Sequence, residues 1–409
     1  MSRTGVALAG VMTSAVVLAG LVGVGLRPWA TAPGETRIEA GLSLQEALGA
    51  GGTTGYARAD TVRAFDFPSD HGPHPDFRSE WWYLTGNLET PGGRRFGFQA
   101  TFFRSALAPP GEAAEPDPTS GVSRWRSRQA WMAHFAVTDA AERHFYAFER
   151  FEREALGLAG ARSGPGLRVW TGSWELAGRD SVFPLSVRLG ADSVAVALVL
   201  EPTRGVVLQG DRGWSRKGPE PGNASYYYSM PRLATEGTVR TPAGTFDVRG
   251  ESWLDREWST SVLPEGVVGW DWFALSLDDG RDVMVYHLRW TDGTPSPFSR
   301  GTVVSGDPDG DLRVEPLTAE DYALEVLDRW ESPVDGARYP VRWRLRVPSH
   351  GLDLEIRPVM RGQELDLAFR YWEGAVDVAA YPPAEERADP VAGRGYVELT
   401  GYAGSRPER

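Results

Sequence analysis

Apolar and polar residues alternate with a period of two in several parts of the chain. The segments RRFGFQATFF (94–103), VMVYHLRW (283–290), VRWRLRV (341–347) and GLDLEIRP (351–358) all have this pattern. Because successive side chains of a strand point to opposite faces, each segment is predicted to be a strand with one buried face. Turn sequences such as TPGG, DDG and TDG separate such segments, and none has a sustained 3.6-residue period. The pattern therefore predicts an all-β barrel or sandwich.

A weak internal repeat indicates two copies of one β unit. The segment that begins at Trp82 resembles the one that begins at Trp272, since each has a Trp-led strand, a glycine turn and a second apolar strand. The segment that begins at Leu198 resembles the one that begins at Leu354. A tryptophan that lies equally far before a strand proline in both copies is a third match. Three matches in the same order predict a duplication with its boundary near residues 235–245.

The repeat and the turn signals predict three regions after residue 32. Residues 33–64 form a linker, and the two β units occupy residues 65–237 and 238–409. Two segments rich in Ala, Pro and Glu, at 106–129 and 379–393, are predicted to be long surface loops that could cover a barrel mouth.

The first residues have the pattern of a targeting segment. A single arginine precedes an uncharged run from Gly5 to Leu26, and Ala30–Ala32 has the small-x-small form of a signal-peptidase site. The pattern predicts a signal peptide over residues 1–32 and export to the periplasm or the extracellular space. The alternative is an uncleaved membrane anchor, because about 20 apolar residues span a bilayer.

Composition narrows the classes of function. The chain has 409 residues with 16 Trp, 13 Tyr, 16 Phe and no Cys. The lack of Cys excludes disulfides, thiolate metal sites and a cysteine nucleophile. The net charge is −12, and an acidic surface repels phosphate backbones, so no nucleic-acid partner is expected.

Common catalytic motifs are missing from the sequence. The six His form no H-E-x-x-H motif, and the chain has no G-x-S-x-G elbow, Walker loop or dinucleotide fingerprint. His71 and His74 lie in SDHGPHPDF, where a polar turn is favoured over a metal site. We therefore predict no metal and no cofactor.

Acidic residues beside tryptophans are the strongest chemical signal. The segment SWLDREW places Asp255 on one strand face with Trp253, and GWDWF places Asp271 between two tryptophans. An aromatic wall of low polarity raises the pKa of a carboxyl group, and indole faces stabilise a cation. These properties suit protonation of an alkene, so Asp255 and Asp271 are the catalytic candidates. The alternative is that the tryptophans fill cores and the acids pair with arginines such as Arg256.

The predicted ligand-binding residues come from the aromatic clusters around these acids and from similar clusters earlier in the chain. They are Trp82, Trp131, His134, Tyr227, Trp253, Trp258, Trp270 and Trp272.

The segments SEWWYLTGNL, FGFQATFFR, MAHFAVTD, NASYYYSMPRL, GESWLDREWS and GWDWFALSLDDG resemble the AttH/CrtC family. This is a family of secreted lipocalin-like proteins related to carotenoid 1,2-hydratase (hydroxyneurosporene synthase). The resemblance runs in order from about Phe65 to Tyr402. It implies two tandem lipocalin-like, or calycin-like, β-barrels, and it suggests association with an export permease system.

Three functions follow in order of preference. The first is an exported protein that binds an apolar ligand, such as a lipid or isoprenoid, in a barrel cavity. The second is a carotenoid 1,2-hydratase-like hydro-lyase that adds water to a polyene by acid catalysis without a cofactor. The third is a hydrolase, for which the sequence shows no nucleophile–base pair.

Overall fold

A computed structural model describes residues 52–110, 127–261, 263–306, 311–381 and 392–403. The predicted signal peptide, the first part of the linker and the central parts of both predicted loops lie outside these ranges. Three 3-10 turns occur in the described part, at Ser69–His71, Ala155–Gly157 and Pro348–His350. None of the helices in that part has the length and apolar character needed to cross a membrane.

The first half of the chain forms one antiparallel sheet of thirteen strands, counted over the described residues. The strands are β1 (Ser79–Glu89), β2 (Arg95–Ala106), β3 (Gln129–Asp139), β4 (His144–Arg153), β5 (Ala159–Ser163), β6 (Leu167–Thr171), β7 (Trp174–Ala177), β8 (Leu185–Ala191), β9 (Val194–Pro202), β10 (Val207–Leu208), β11 (Trp214–Arg216), β12 (Ala224–Thr241) and β13 (Gly244–Ser259). Their order is β4-β3-β2-β1-β13-β12-β9-β8-β7-β6-β5, and the short strands β10 and β11 pair with β12.

The second half forms a sheet of ten strands in its described part. They are β14 (Val267–Leu277), β15 (Asp282–Trp290), β16 (Arg300–Ser305), β17 (Arg313–Thr318), β18 (Ala323–Glu331), β19 (Arg338–Val347), β20 (Leu352–Pro358), β21 (Glu364–Leu365), β22 (Tyr371–Ala380) and β23 (Ala392–Leu399). Their order is β17-β16-β15-β14-β23-β22-β20-β19-β18, and β21 pairs with β22.

The two sheets have a similar topology, although the first sheet continues by two further strands, β6 and β5, at one edge. In each, the first strand pairs with the last one, so that β1 lies beside β13 and β14 lies beside β23. The Trp82 and Trp272 hairpins are therefore the equivalent first hairpins, and Leu198 in β9 corresponds to Leu354 in β20. The predicted all-β fold of two tandem lipocalin-like barrels is confirmed.

The boundary between the units differs from the predicted one at residue 237. That residue lies inside β12, which pairs with β13 along a long hairpin whose turn joins Thr241 to Gly244. The change of sheet occurs between Ser259 and Val267. The sequence RTPAGT has the composition of a linker, but it forms a hairpin turn within the first barrel.

Strand alternation gives each barrel two different faces. Inward side chains such as Trp82 in the first barrel and Phe273 in the second belong to two large apolar clusters that fill the interiors. The neighbouring positions on the same strands, such as Tyr83 and Trp272, belong to a third cluster between the barrels. The two barrels thus meet through the outer faces of their first strands.

Buried ion pairs fix both the first barrel and the contact between the barrels. Glu80 lies in the first barrel and pairs with Arg256 at 3.0 Å and also with Arg104. Asp282, at the start of β15, pairs with Arg204 and Arg232 of the first barrel. Since these side chains are removed from water, breaking either group leaves an uncompensated buried charge.

Candidate functional site

A pocket of about 140 Å³ lies between the two barrels. Strands from both sheets contribute its lining, which combines eight aromatic side chains with four acids and one lysine. The aromatic residues are Trp81, Tyr83, Phe103, Tyr227, Trp270, Trp272, Tyr286 and Tyr371. The charged residues are Asp255, Glu257, Glu373, Glu398 and Lys217. The site differs from the expected barrel cavity, because the barrel interiors are filled with apolar side chains and the pocket uses their outer faces.

Asp255 projects from β13 into this pocket and is only 3% exposed. Its Oδ1 accepts hydrogen bonds from Ser229 and, at 2.7 Å, from the indole of Trp253, and its Oδ2 accepts one from Tyr227. Burial raises the pKa of Asp255 to about 7, although these three donors act in the opposite direction. The group therefore exchanges its proton near neutral pH, as a general acid must.

The donors around Asp255 extend into a directional network. Thr302 donates to Gln209 at 2.7 Å, and Gln209 donates to Ser229 at 2.9 Å. On the other side, the indole of Trp272 donates to the hydroxyl of Tyr227 at 3.2 Å. Every one of these bonds points towards Asp255, and both barrels contribute donors. The network therefore holds the carboxyl group in one orientation at the junction of the barrels.

Glu373 and Glu398 form a carboxyl pair on the wall supplied by the second barrel. They lie directly opposite each other on β22 and β23, and Tyr83 donates to Glu373 at 2.6 Å. Burial and the proximity of the two carboxyls raise the pKa of Glu373 well above its usual range. Burial raises the pKa of Glu398 to about 8. Carboxyls on both walls of the pocket thus have raised pKa values.

Lys217 supplies a positive charge to the lining of the pocket. Its Nζ lies 3.3 Å from Glu257 and 3.8 Å from the centre of the Tyr286 ring. Although burial acts against the charged form, the Glu257 carboxylate raises the pKa of Lys217. An ammonium group is therefore already held here by an acid and an aromatic face.

Five of the sequence-predicted residues meet at the pocket. Asp255, Tyr227, Trp270 and Trp272 line it. Trp253 holds Asp255 and packs against Trp272, with their ring centroids 6.3 Å apart. The structure thus brings together residues that the sequence predicts in separate segments.

Three predicted ligand-binding tryptophans instead lie in the interior of the first barrel. Trp82, Trp131 and Trp258 belong to its apolar cluster, because their strand positions have the opposite parity from the pocket residues. Trp82 packs on Trp131 with ring centroids 6.0 Å apart, and the ring of His74 stacks on Trp258 at 3.7 Å. These three residues thus fit the alternative interpretation, in which the tryptophans fill the barrel cores.

His134 lies behind the pocket lining. Its Nδ1 is 2.7 Å from the hydroxyl of Tyr371, which does line the pocket. Burial lowers the pKa of His134 to about 3, so the ring is neutral at ordinary pH. His134 therefore does not line the pocket itself, and it can influence a ligand only through Tyr371.

Asp271 is separated from the pocket by the alternation of β14. Trp270 and Trp272 face the pocket, whereas Asp271 accepts hydrogen bonds from Arg289 at 2.9 Å and from Tyr402 at 3.0 Å. Burial raises the pKa of Asp271, although Arg289 opposes the shift. Asp271 therefore fits the alternative interpretation, in which the acid pairs with an arginine. That arginine is Arg289.

Lys217, Glu373 and Glu398 were not among the predicted site residues. The period-two pattern of YWEGAVDV places Tyr371 and Glu373 on one strand face, which is the signal that could have suggested them. Nothing in the sequence indicates that this face meets Asp255. For metals, no group of three or more His, Cys, Asp or Glu among the described residues is arranged to hold an ion.

The fold and the site define a tandem lipocalin-like protein with an acidic, aromatic pocket between its barrels. The chain belongs to the AttH-like family, whose model matches residues 58–402. This confirms the family predicted from the sequence. No match is found among curated proteins.

Solved structures show the same fold. The crystal structure of a candidate AttH protein (NE1406) from Nitrosomonas europaea is 35% identical, covering 85% of this chain and 99% of that one, with a TM-score of 0.72. The crystal structure of kievitone hydratase from Nectria haematococca is 17% identical, covering 86% of this chain and 97% of that one, with a TM-score of 0.60. At this identity, the second likeness is one of fold.

Proposed function

We propose that the pocket binds an apolar, unsaturated molecule, such as an isoprenoid, and that the protein adds water across one of its double bonds. The observation that carries the proposal is the position of Asp255, a buried carboxyl that exchanges its proton near neutral pH inside an aromatic pocket. Aromatic walls suit an apolar substrate, and they stabilise a neighbouring cation.

The reaction needs one acid and one water molecule. Protonated Asp255 transfers its proton to one alkene carbon, and the electron pair of the double bond forms the new C–H bond. The adjacent carbon becomes a cation facing the indole and phenol rings of the pocket. Water attacks that carbon, and one proton of the water returns to the Asp255 carboxylate. The sum is the addition of one H2O with no redox change and no cofactor.

The relationship with kievitone hydratase supports the same class of reaction through a shared fold alone. That protein is named for a hydration reaction, and its chain has the two-barrel architecture that here creates the pocket. The chemical argument for this protein depends on its own residues, mainly Asp255 and Tyr227.

A binding protein without catalysis is the second candidate. The observation in its favour is that both Asp255 oxygens already accept hydrogen bonds from Tyr227, Ser229 and Trp253. A carboxyl used in this way could serve only to position the aromatic wall. In that case, fatty acids, isoprenoids and carotenoids would change the tryptophan fluorescence saturably, and no product would form.

An isotope experiment tests the first proposal. The protein is incubated with acyclic carotenoids and shorter isoprenoid alkenes in H2(18)O, and products are analysed by mass spectrometry. Label in a hydroxylated product, lost in Asp255→Asn, supports hydration. Asp279→Asn is the control, because it makes the same change at an exposed acid outside the pocket. If folded wild-type protein binds these compounds without incorporating label, only the binding role stands.

We further propose that the protein acts outside the cytoplasm after removal of residues 1–32, as the arginine, apolar run and Ala30–Ala32 predict. Mass measurement of the protein from its native host tests this. A mature chain that begins after Ala32 is expected. An intact Met1 in the membrane fraction would show the anchored alternative, and a cytoplasmic location would contradict export.

A further inference from the structure

The carboxyl pair formed by Glu373 and Glu398 has an unusual electrostatic environment. Glu373 is 1% exposed, and its Oε2 has no hydrogen-bond partner among the residues that the structure describes. Neither acid forms an ion pair with a described lysine, arginine or histidine. Buried carboxylates normally pair with a cation or accept several hydrogen bonds. Without a cation, the buried pair keeps its protons, in agreement with the raised pKa values of both carboxyls. A positively charged ligand placed beside the pair would favour its ionised form.

Another part of the lining of the same pocket shows how it can hold a positive charge. There, the ammonium group of Lys217 pairs with Glu257 and lies on the ring of Tyr286. The arrangement of one cation, one acid and an aromatic face is complete within the protein. Beside Glu373 and Glu398, the acids and the aromatic rings are present, but neither acid pairs with a described cation.

Aromatic side chains surround the carboxyl pair on several sides. Trp272 lies directly opposite Glu398 across the strands β14 and β23. Tyr83 bonds to Glu373 and contacts Trp272 edge to face, with the ring centroids 5.0 Å apart. Trp270 also lines this space. Indole and phenol faces beside a carboxylate form the type of site that binds organic ammonium groups.

We propose that the part of the pocket beside Glu373 and Glu398 is a binding site for the positively charged group of an organic ligand, such as a substituted ammonium. This inference rests on the proposed function, because it assigns a ligand class to the same pocket. A volume of about 140 Å³ suits a group of this size, since an apolar cavity of roughly 150 Å³ accepts benzene. The same acids would also stabilise positive charge on a carbon during hydration.

Two probes of equal shape separate charge from apolar contact. Benzyltrimethylammonium carries a quaternary nitrogen, and neopentylbenzene carries a neutral carbon at the same position. Both are titrated into the full-length protein at about pH 7 and about pH 9.5, and binding is followed by equilibrium dialysis. Because burial raises the pKa of both carboxyls, the cation should bind more tightly at the higher pH, whereas binding of the neutral probe should not change. The cation is expected to bind about tenfold more tightly than the neutral probe.

Variants then assign the effect to the carboxyl pair. Glu373→Gln and Glu398→Gln are each expected to weaken binding of the cation about tenfold, and to leave binding of neopentylbenzene unchanged. Glu325→Gln is the matched control, since Glu325 is an exposed acid on β18 of the same barrel. Binding of the neutral probe also shows that each variant is folded, and two separate variants guard against the loss of one.

The outcomes distinguish this inference from the proposed function. Equal binding of both probes, or equal loss of both in the variants, overturns the cation site and leaves the pocket as an apolar ligand site. Failure of both probes to bind the folded wild-type protein overturns the cation site and contradicts the pocket itself. The inference is supported if the wild type prefers the cationic probe and both Gln variants abolish that preference.

Discussion

The hydroxyl of Tyr227 donates a hydrogen bond to the carboxylate of Asp255 inside the pocket between the two barrels. Tyr227 lies on β12 and Asp255 on the neighbouring strand β13, so one hairpin supplies both groups. Trp272, from the second barrel, donates to the same hydroxyl. The proton position at Asp255 is thus coupled to the packing of the two barrels.

Replacing Tyr227 by Phe tests this coupling. The hydrogen bond from Tyr227 lowers the pKa of Asp255 against the larger effect of burial, so its removal should raise that pKa above about 7. If protonated Asp255 is the acid, the alkaline limb of the pH–rate profile should move to higher pH in Tyr227→Phe. An unchanged limb in an active variant would contradict the role of Asp255 as the acid.

The pH dependence of stability provides a test that needs no substrate. Burial raises the pKa of Asp255 from 3.8 to about 7, so the folded state holds this proton more tightly than the unfolded chain. Its contribution to stability is fully present below about pH 3.8 and is lost as the pH rises through about 7. Compared with the wild type, Asp255→Asn should therefore gain stability at pH 8 relative to pH 4, by a few kcal/mol as an order of magnitude. Urea unfolding of both proteins at both pH values measures this difference. If the free energy of unfolding changes equally with pH in the two proteins, the raised pKa of Asp255 is contradicted.

Glu80 should have the opposite dependence. Although burial would raise its pKa, Arg104, His74 and Arg256 lower it to about 2. Its stabilisation is present above the ordinary value of 4.5 and is lost as the pH falls through about 2. Glu80→Gln should cost about 3–5 kcal/mol at neutral pH, because two buried arginines lose their partner.

Unfolding in urea at neutral and acidic pH compares Glu80→Gln with Glu142→Gln. Glu142 pairs with Arg94 at the surface, where its side chain is 52% exposed, and such pairs contribute about 1 kcal/mol or less. The difference between the Glu80 variant and the wild type should shrink at low pH. A loss of similar size in the two variants at neutral pH would refute the special role of Glu80.

Replacing two tryptophans tests which side chains fill the barrel core and which line the pocket. Trp82 is 1% exposed inside the first barrel, so Trp82→Ala should lower the free energy of unfolding by about 3–5 kcal/mol. Trp270 lines the pocket and is only partly buried, so Trp270→Ala should lose less stability and more ligand affinity. Chemical denaturation and fluorescence titration with the preferred ligand measure the two effects. The reverse ranking would show that the faces of these strands have been assigned incorrectly.

Asp282 should control the joining of the barrels. It is fully buried at the start of β15 and pairs with Arg204 and Arg232 of the first barrel. Asp282→Asn leaves Arg204 without a charged partner and Arg232 with only Glu251, and a loss of about 3–5 kcal/mol is expected. Asp279→Asn, which affects a local pair with Arg281 near the surface, should cost about 1 kcal/mol or less. Calorimetry should show a lower transition temperature for Asp282→Asn alone. Equal transition temperatures in the two variants would contradict the role of Asp282 in joining the barrels.

The alternation of apolar and polar side chains was sufficient to predict much of the fold. It predicted the strands, and the ordered repeat predicted two similar units, because strand faces and hairpin turns depend on local sequence. The same reasoning placed Trp253 and Asp255 on one face, and in the structure the indole of Trp253 donates a hydrogen bond to Asp255. It failed at the boundary, because RTPAGT has a composition that suits a linker and a hairpin turn equally well.

The sequence by itself determined the all-β class, the duplication and the grouping of Asp255 with tryptophans, since these depend on neighbours along the chain. Only the tertiary structure decided which face of each strand fills a barrel and which meets the other barrel. Both faces of β1 and β14 carry aromatic residues, so hydrophobicity did not distinguish Trp82 from Trp81 as a core residue. The meeting of Asp255 with Glu373 and Glu398 depends on the docking of two barrels, and contacts between strands so distant in sequence leave no local pattern.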